Sequence, residues 1–538
     1  MDIKHLKGVV DELFADRLTY MMLLQEIAEN FYPERADFTI RRTHGNEFAA
    51  DLMTSYPILT RRDLGDQIGQ MLRPTATEWF KMAPRGGEQA DNEGNRWLEE
   101  MSRRQRLATY ARGAQFNRAT KEGDQDFASF GQCVISCRLN LAADNLLYRN
   151  WHIRDVVWSE NEESKIGLVA RKWKPTARDL MHLFPGKVHE KVAEVALKKP
   201  LHKFKCYHIV CEADYYDKSP EGRPYWSIYY DAENQHLMED VPVWDNEYII
   251  PRWQTVSGSQ YAYSPATITA LPDARLIQSM TYALLEAGEK AVNPPLVATQ
   301  DVVRSDVSIY AGGITWVDGE YDERLGSALR PITQDLRGLP FGVEMIERSQ
   351  EMLTHAFFLN KLNLPERAPE MTAYEVGQRI QEYIRGALPI FEPMEAEYNG
   401  AICDLTFGVL LRNGVFGSPD DIPRSLSGPG IEFEFESPLH DSIDEQKGQK
   451  FLEAKALIAE SMEVDQASLY MMDTRTALRD ALQGIGIPAN WVNPIDVVDE
   501  YIEQQAQEQE TQALLEQQLQ GSEIAKNTAE ASEKLRGA

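Results

Sequence analysis

The sequence predicts an α+β fold that is mainly helical. Up to about residue 130, apolar residues recur at the helical spacing of three and four. From Gly131 to about residue 260, short segments rich in β-branched and aromatic residues alternate with turn residues, which is typical of strands. Long helical patterns then return and fill most of the remaining chain.

Three helical segments open the chain, over about 1–31, 47–72 and 93–130, and Pro33 and Pro74 end the first two. The third segment is rich in arginine and lysine. Glutamate and aspartate interleave with these bases, which favours a solvated helix face over a nucleic-acid contact. The second and third segments are separated by Trp79 and Phe80, an apolar plug.

The β-rich part is predicted to hold one short helix, at about 176–185, and several strands. The strands are expected at about 132–139, 146–158, 166–173, 203–213, 225–231 and 241–253. Within the fourth, Cys206, His208 and Cys211 could suggest zinc, but the segment alternates like a strand and no second ligand pair lies at finger spacing. Five cysteines, an odd number, indicate reduced thiols.

Two helices flanking a compact insert then predict a stalk with a tip. One helix covers about 265–291, with Pro265 suited to its first turn, and the other about 340–360. Residues 294–338 between them read as short strands and turns.

Leu362–Gly414 is predicted to be a mechanical element. A loop with two prolines precedes Thr372 and Glu375, which form a capping box. The helix that follows runs for roughly forty residues, about 60 Å. Pro389 and Pro393 lie inside it and should kink it, either as a hinge or as fixed curvature.

The C-terminal part is predicted to contain a strand, Ile431–Phe435, a helical stretch over 442–483, and a glutamine-rich helix from Pro494 to about 535. Apolar positions are sparse in the last helix. It either packs against copies of itself or is disordered, and both interpretations stay open.

Composition argues against an enzyme and against tight DNA binding. The net charge is −28, from 84 acidic and 56 basic residues, whereas a protein that neutralises phosphates should be basic. There is no phosphate-binding loop, HExxH, GxSxG or EF-hand motif, so no metal, cofactor or catalytic residue is expected. We predict no signal peptide and no membrane span.

Three stretches resemble the portal, or head-to-tail connector, proteins of short-tailed bacteriophages. They are MTAYEVGQR at Met371–Arg379, the stretch Ile250–Ala274 that contains Pro-Arg-Trp, Ser-Pro and Leu-Pro-Asp, and, more weakly, Leu72–Phe80. This sequence departs from the family pattern at Tyr374, Ser259 and Ala262. The order of elements agrees from about residue 5 to 500.

The resemblance implies a portal fold assembled as a dodecameric ring in the virion, at one capsid vertex, after assembly in the host cytoplasm. The implied parts are a wing (1–263), stem helices (264–293 and 339–360), a clip (294–338), a tunnel loop (361–371), a long kinked helix with further wing (372–430), and a crown with the C-terminal helix (431–538). The implied partners are double-stranded DNA, the terminase, a tail adaptor, the major capsid protein and scaffold, and internal core proteins at the crown.

Residues expected to face the DNA channel are Lys361, Asn363, Arg367 and Glu370. Arg367 either touches the DNA backbone or pairs with a neighbouring glutamate and shapes the loop. Two other classes stay open as alternatives: another phage structural ring such as a tail adaptor, and a nucleic-acid enzyme.

Overall fold

The computed structural model describes part of the chain. The described residues are 2–40, 45, 52–74, 78–86, 92–219, 221–292, 294–298, 329–331, 339–362, 386, 394–418, 421–426, 430–435 and 451–458, with a few more between 477 and 512. The chain folds into two compact units, one of residues 1–76 with 107–409 and one of residues 77–106 with 410–538. The fold is mainly helical α+β, as the sequence predicts.

The described helices are α1 (Ile3–Asp16), α2 (Leu18–Phe31), α3 (Tyr56–Leu72), α4 (Asn92–Thr109), α5 (Phe116–Phe130), α6 (Ala177–Leu183), α7 (Glu190–Lys198), α8 (Pro265–Val292), α9 (Leu339–Ala356), α10 (Leu359–Leu362) and α11 (Ala401–Arg412). The described strands are β1 (Phe80–Pro84), β2 (Val134–Leu139), β3 (Leu146–Trp151), β4 (Val156–Glu160), β5 (Ile166–Trp173), β6 (Cys206–Glu212), β7 (Tyr225–Asp231), β8 (His236–Val243), β9 (Tyr248–Ile249), β10 (Gln254–Thr255), β11 (Ala262–Tyr263), β12 (Leu296–Ala298), β13 (Leu329–Pro331) and β14 (Ile431–Phe435).

Strands β4 to β8 form an antiparallel five-stranded sheet in sequential order. Successive side chains of a strand point to opposite faces of the sheet, and here both faces carry buried apolar residues. One face packs with Leu6 and Val10 of α1, and the other with residues of α6 and α7 such as Leu180 and Val192. A second sheet, in the order β3-β2-β9, lies in the same unit.

The first predicted helix, over 1–31, is divided in two at Arg17. The Arg17 side chain is 3% exposed, and its Nη1 donates to the carbonyls of Ile153 at 2.9 Å and Val156 at 2.5 Å. Local apolar spacing cannot show this break, because the acceptors come from a segment far along the chain.

The helix predicted at 176–185 is correct, but predicting only one helix in this part was wrong. Thr176 and Asp179 form a capping box at the start of α6, and a second helix, α7, follows. His189 caps α7 by accepting a hydrogen bond from Lys191 N at 3.2 Å. Histidine is not among the common N-cap residues, so the start signal is weak.

The second compact unit contains a strand pair that the sequence predicted only in part. β14 begins and ends where the sequence predicts, and it pairs antiparallel with β1. Of the predicted apolar plug, Phe80 is the first residue of β1, and Trp79 directly before it is fully buried. Ser102 of α4 accepts a hydrogen bond from Met82 N at 2.9 Å and ties α4 to β1.

Candidate channel-lining and subunit-contact helices

Helices α8 and α9 pack against each other as an antiparallel pair. Leu284, late in α8, faces Gly342, early in α9, and a Cβ at position 342 would lie 2.9 Å from Leu284 Cδ2. Glycine therefore permits the close approach. β12 and β13, which follow α8 and precede α9, also pair antiparallel. We call α8, α9 and the strand pair between them the α8–α9 hairpin. Its two helices, and the two short strands described between them, agree with the elements predicted for the stalk and its tip.

The root of α8 is fixed to α5 by buried hydrogen bonds. Ser264 Oγ donates to Ala128 O and Thr267 Oγ1 donates to Ser129 O, both at 2.7 Å. Gly131 ends α5 with φ of 72°, and a Cβ there would lie 2.1 Å from the carbonyl carbon of Tyr263. A side chain at 131 would force α8 away from α5.

Arg252 and Trp253 hold the segment that leads into α8. The Arg252 guanidinium pairs with Glu160 and, at 3.3 Å, with Glu397. Trp253 stacks on Phe127 of α5, with ring centroids 5.5 Å apart and planes 9° apart. These are structural contacts, made by residues of the Ile250–Ala274 stretch.

The C-terminal end of α9, which lies at the same end of the hairpin as the root of α8, is anchored by aromatic and hydroxyl contacts. Phe357 is fully buried, and its ring lies 5.4 Å from that of Phe31. Tyr56 OH and Thr354 Oγ1 lie 2.7 Å apart. The predicted helix 340–360 is interrupted at Phe358, whose φ of 58° is left-handed and separates α9 from α10.

Of the predicted channel residues, the structure describes Lys361. It is exposed at the end of α10, and its Nζ lies 6.0 Å from the centroid of the Phe358 ring. The other predicted channel and hinge residues lie outside the described residues: Asn363, Arg367, Glu370, Thr372, Glu375, Pro389 and Pro393. Their roles stay predictions.

The end of the predicted long helix is seen where it joins the rest of its unit. Residues Glu395–Gly400 form a π-helical turn that runs into α11. Asn399 accepts a hydrogen bond from Arg73 Nη1 at 2.8 Å and donates one to Leu72 O at 2.9 Å. Arg73 also forms a buried ion pair with Asp124 of α5. Burial raises the pKa of Asp124, although the Arg73 charge opposes this shift.

The surface of the hairpin combines acidic residues with large apolar ones. Two of its basic side chains are neutralised within their own helices, since Lys290 pairs with Glu286 and Arg348 with Glu344, both at 2.6 Å. Other acids face solvent on the same helices. Large exposed apolar side chains are Tyr282 (56%), Leu285 (54%), Phe341 (65%) and Met352 (56%).

The cysteine and histidine residues of β6 pack into the sheet, as the strand interpretation predicts. Cys211 lies in the core on one face, whereas Cys206 lies in the core on the other. His208 is fully buried, and its Nδ1 lies 2.6 Å from Tyr248 OH. Among the residues that the structure describes, no group of three or more His, Cys, Asp or Glu could hold a metal ion. Within the same residues, no helix is long and apolar enough to cross a membrane.

Comparison with known proteins decides the family. The family model described as "Bacteriophage head to tail connecting protein" matches residues 3–492. The chain belongs to this family. The predicted resemblance is therefore confirmed, and the α8–α9 hairpin with its root is part of a head-to-tail connecting protein.

Two relatives of this chain have names that describe them as portal proteins. The chain is 29% identical over 192 residues to the probable portal protein of Bordetella phage BPP-1, and this match covers 36% of the chain and 34% of the relative. It is 22% identical over 226 residues to the portal protein of Salmonella phage epsilon15, covering 41% of this chain and 39% of the relative. The matched stretches thus span well under half the length of either relative.

The sequence did not predict which residues of the connecting protein anchor α8. Ser264 lies in the stretch that resembles the family and Gly131 lies where the pattern changes to strands, but the sequence gives no signal at Thr267. Their common role depends on contacts between α5 and α8, more than 130 positions apart in sequence. The signal that the sequence did offer was Gly131, because a glycine directly after a helix commonly ends it in the left-handed conformation.

Proposed function

We propose that this chain is the subunit of a phage portal. Copies would form a ring at one capsid vertex, and double-stranded DNA would be packaged and later ejected through its centre. The match to head-to-tail connecting proteins along residues 3–492 carries this proposal. The portal names of the two relatives support it.

Ring formation is supported by the uncovered apolar side chains of α8 and α9. Tyr282, Leu285, Phe341 and Met352 are more than half exposed on a pair of helices. Several large apolar side chains exposed on one pair of helices are typical of interaction sites. Neighbouring copies of the same hairpin would cover it, and the family resemblance implies twelve copies.

The proposed parts keep the divisions implied by the resemblance. The wing is 1–263, the stem 264–293 and 339–360, the clip 294–338, the tunnel loop 361–371, the long kinked helix with further wing 372–430, and the crown 431–538. The clip would contact the terminase and then the tail adaptor. The wing would contact the major capsid protein and scaffold, and the crown would contact internal core proteins.

The charge of the hairpin suits passage of DNA rather than tight binding. Each base that neutralises a phosphate adds salt-dependent affinity. Lys290 and Arg348 are already paired with glutamates, which lowers their attraction for phosphate. The exposed Lys361, together with Arg367 in the loop, would form narrow basic rings that touch the DNA backbone without reading its sequence. No bond chemistry is required of this subunit.

Assembly is tested with Phe341→Asp, matched by Leu141→Asp. Leu141 is also exposed (75%), but it lies in the turn between β2 and β3. Mass photometry of the wild-type chain should show a species near twelve times 61.2 kDa. Phe341→Asp should abolish this species and Leu141→Asp should keep it. A wild-type monomer with nuclease or ATPase activity would contradict the portal proposal.

The tunnel loop is tested separately with Arg367→Glu. The variant phage should package or retain less genome, measured as the length of encapsidated DNA. Unchanged packaging and retention would show that Arg367 only shapes the loop.

A further inference from the structure

The connection between β5 and β6 is strongly basic in an acidic chain. Residues 174–205 hold eight lysines and arginines against three aspartates and glutamates, whereas the whole chain has a net charge of −28. This stretch includes α6, α7 and the loop that returns to β6. A local excess of one sign in a chain of the other sign indicates a surface with a charged partner.

Backbone hydrogen bonds bring the exposed cations of this connection together. Arg178 N donates to Pro200 O at 3.1 Å and Ala177 N donates to His202 O at 2.8 Å, so the loop after α7 lies beside the start of α6. We call the resulting surface the basic lobe. It is defined by the exposed cations Lys174, Arg178, Lys198, Lys199 and Lys203 and the exposed leucines Leu197 (88%) and Leu201 (76%), and it includes one exposed acid, Asp179.

Local structure explains only part of the lobe. Lysines at the C-terminal end of α7 are favourable with the helix dipole, which accounts for Lys198 and Lys199. Arg178 lies in the first turn of α6, where a cation is unfavourable. The neighbouring Asp179 carboxylate accepts a hydrogen bond from Thr176 N in the capping box. In the described part of the chain, none of the five lobe cations forms an ion pair within 4.0 Å.

The opposite end of the same sheet is acidic. Trp173 pairs with Cys206 at the lobe end, whereas Leu168 pairs with Cys211 towards the other end, roughly 20 Å away for strands of this length. The turns β4–β5 and β6–β7 lie there. We call this surface the acidic end. Its exposed acids without an ion pair among the described residues are Glu162, Asp214, Asp217 and Glu221. Two exposed lysines of the same turns are neutralised, since Lys165 pairs with Glu163 and Lys218 with Asp240.

We propose that the basic lobe of one subunit docks on the acidic end of the next subunit around the ring. The inference rests on the proposed portal function, because it requires a ring of copies. A contact between two different surfaces of identical subunits is head-to-tail, and such contacts form a ring when the rotation between neighbours closes. Five cations facing four acids make the surfaces complementary.

A second copy fits the lobe better than nucleic acid does. Duplex DNA would present phosphates to the cations but would leave Leu197 and Leu201 against a polar backbone. A protein surface covers leucines as well as charges. A second copy also explains why an acidic surface of similar charge lies at the opposite end of the same sheet.

Charge reversal tests the contact directly. Variant A carries Arg178→Glu and Lys203→Glu, and variant B carries Asp214→Lys and Asp217→Lys. Each should weaken ring formation at least about tenfold in the concentration for half-assembly, because the charge of the five lobe cations falls to a net +1 in A and that of the four acids to zero in B, which removes most of the attraction at every contact. A one-to-one mixture of A and B should recover assembly, since the two new carboxylates of A can face the two new lysines of B, and the unchanged lobe of B faces the unchanged acidic end of A. Mass photometry at low and high salt measures assembly.

A matched control and two further outcomes decide the result. Lys4→Glu with Lys121→Glu changes the same charge on exposed residues outside the lobe and should assemble like the wild type. Full assembly of A alone, or no recovery in the mixture, overturns this inference while the proposed function stands. Binding of a 30-base-pair duplex by the wild type that A loses, with its ring intact, makes the lobe a DNA surface and also overturns it. A wild-type chain that never assembles overturns both.

Discussion

Replacing Gly131 with alanine should loosen the root of α8. The backbone at 131 has φ of 72°, a left-handed conformation that alanine adopts at a cost of about 1 kcal/mol. The added Cβ would also lie 2.1 Å from Tyr263 C and 2.3 Å from Ser264 N. Backbone atoms cannot rotate away as a flexible side chain can, so the start of α8 must shift.

The cost follows from what that shift disrupts. Ser264 Oγ and Thr267 Oγ1 donate to carbonyls of α5 from fully buried positions, and losing either bond costs about 1–3 kcal/mol. With the backbone strain, Gly131→Ala should destabilise the root by about 3 kcal/mol or more. Gly186→Ala is the matched control, because Gly186 has φ of 75° with nothing within 4 Å of its would-be Cβ. It should cost only the strain, about 1 kcal/mol.

Hydrogen–deuterium exchange of a peptide covering residues 262–270 measures the difference. A loss of about 3 kcal/mol in local stability speeds exchange by on the order of a hundredfold. We expect this in Gly131→Ala and no change in that peptide in Gly186→Ala. If the two variants exchange this peptide at rates within about threefold, α5 and α8 do not approach as closely as described, and the reasoning fails.

Three further predictions concern buried or half-buried groups. Burial alone would raise the pKa of Asp37, but His152 and Arg154 lower it to about 2. Asp37 therefore contributes stability above pH 4 that is lost as the pH falls through 2. Asp37→Asn should lower stability at pH 7 by about 1–2 kcal/mol and flatten this dependence, whereas an equally steep acid transition would contradict the assignment. All five cysteines are buried, and burial raises the pKa of two of the thiols to about 12, so a disulfide reagent at pH 8 should modify them only after denaturation; rapid labelling of the native chain would contradict this. Arg73→Met should cost about 3–5 kcal/mol by leaving Asp124 unpaired, and adding Asp124→Leu should recover most of the loss in urea unfolding; a double variant no better than the single one would refute this account.

The sequence predicted the elements whose signals are local. The helix predicted between Pro265 and the Asn293-Pro294-Pro295 segment begins at the observed first residue of α8 and ends within one residue of its observed end. The predicted strand β14 matches at both ends. β1 was not predicted as a strand, because its partner lies some 350 positions later in the chain. The break between α1 and α2 at Arg17 was not predicted for the same reason, since its side chain donates to backbone carbonyls of a distant segment.

The candidate site was less predictable than the fold. Composition and absent motifs pointed away from catalysis, and the quoted motifs led to the family that the comparison confirms. Neither could place Gly131 against Tyr263, because that contact depends on the packing of α5 on α8. The charge of the β5–β6 connection was visible in the sequence, but its opposition to the acidic turns appears only once the strand order is known.

The residues of the Ile250–Ala274 stretch act at the root of α8 rather than along its exposed length. Arg252, Trp253 and Ser264 all bind the surrounding unit. α8 has 28 residues, which corresponds to about 42 Å at 1.5 Å per residue. A tilt of about 10° at the root would move its far end by about 7 Å, close to a full helix-to-helix spacing of 8–10 Å. Apolar side chains such as Tyr282 and Leu285 lie on that outer length. Copies could match these side chains around a ring only if each root holds its helix in one direction, so a rigid anchor is a requirement of the proposed assembly.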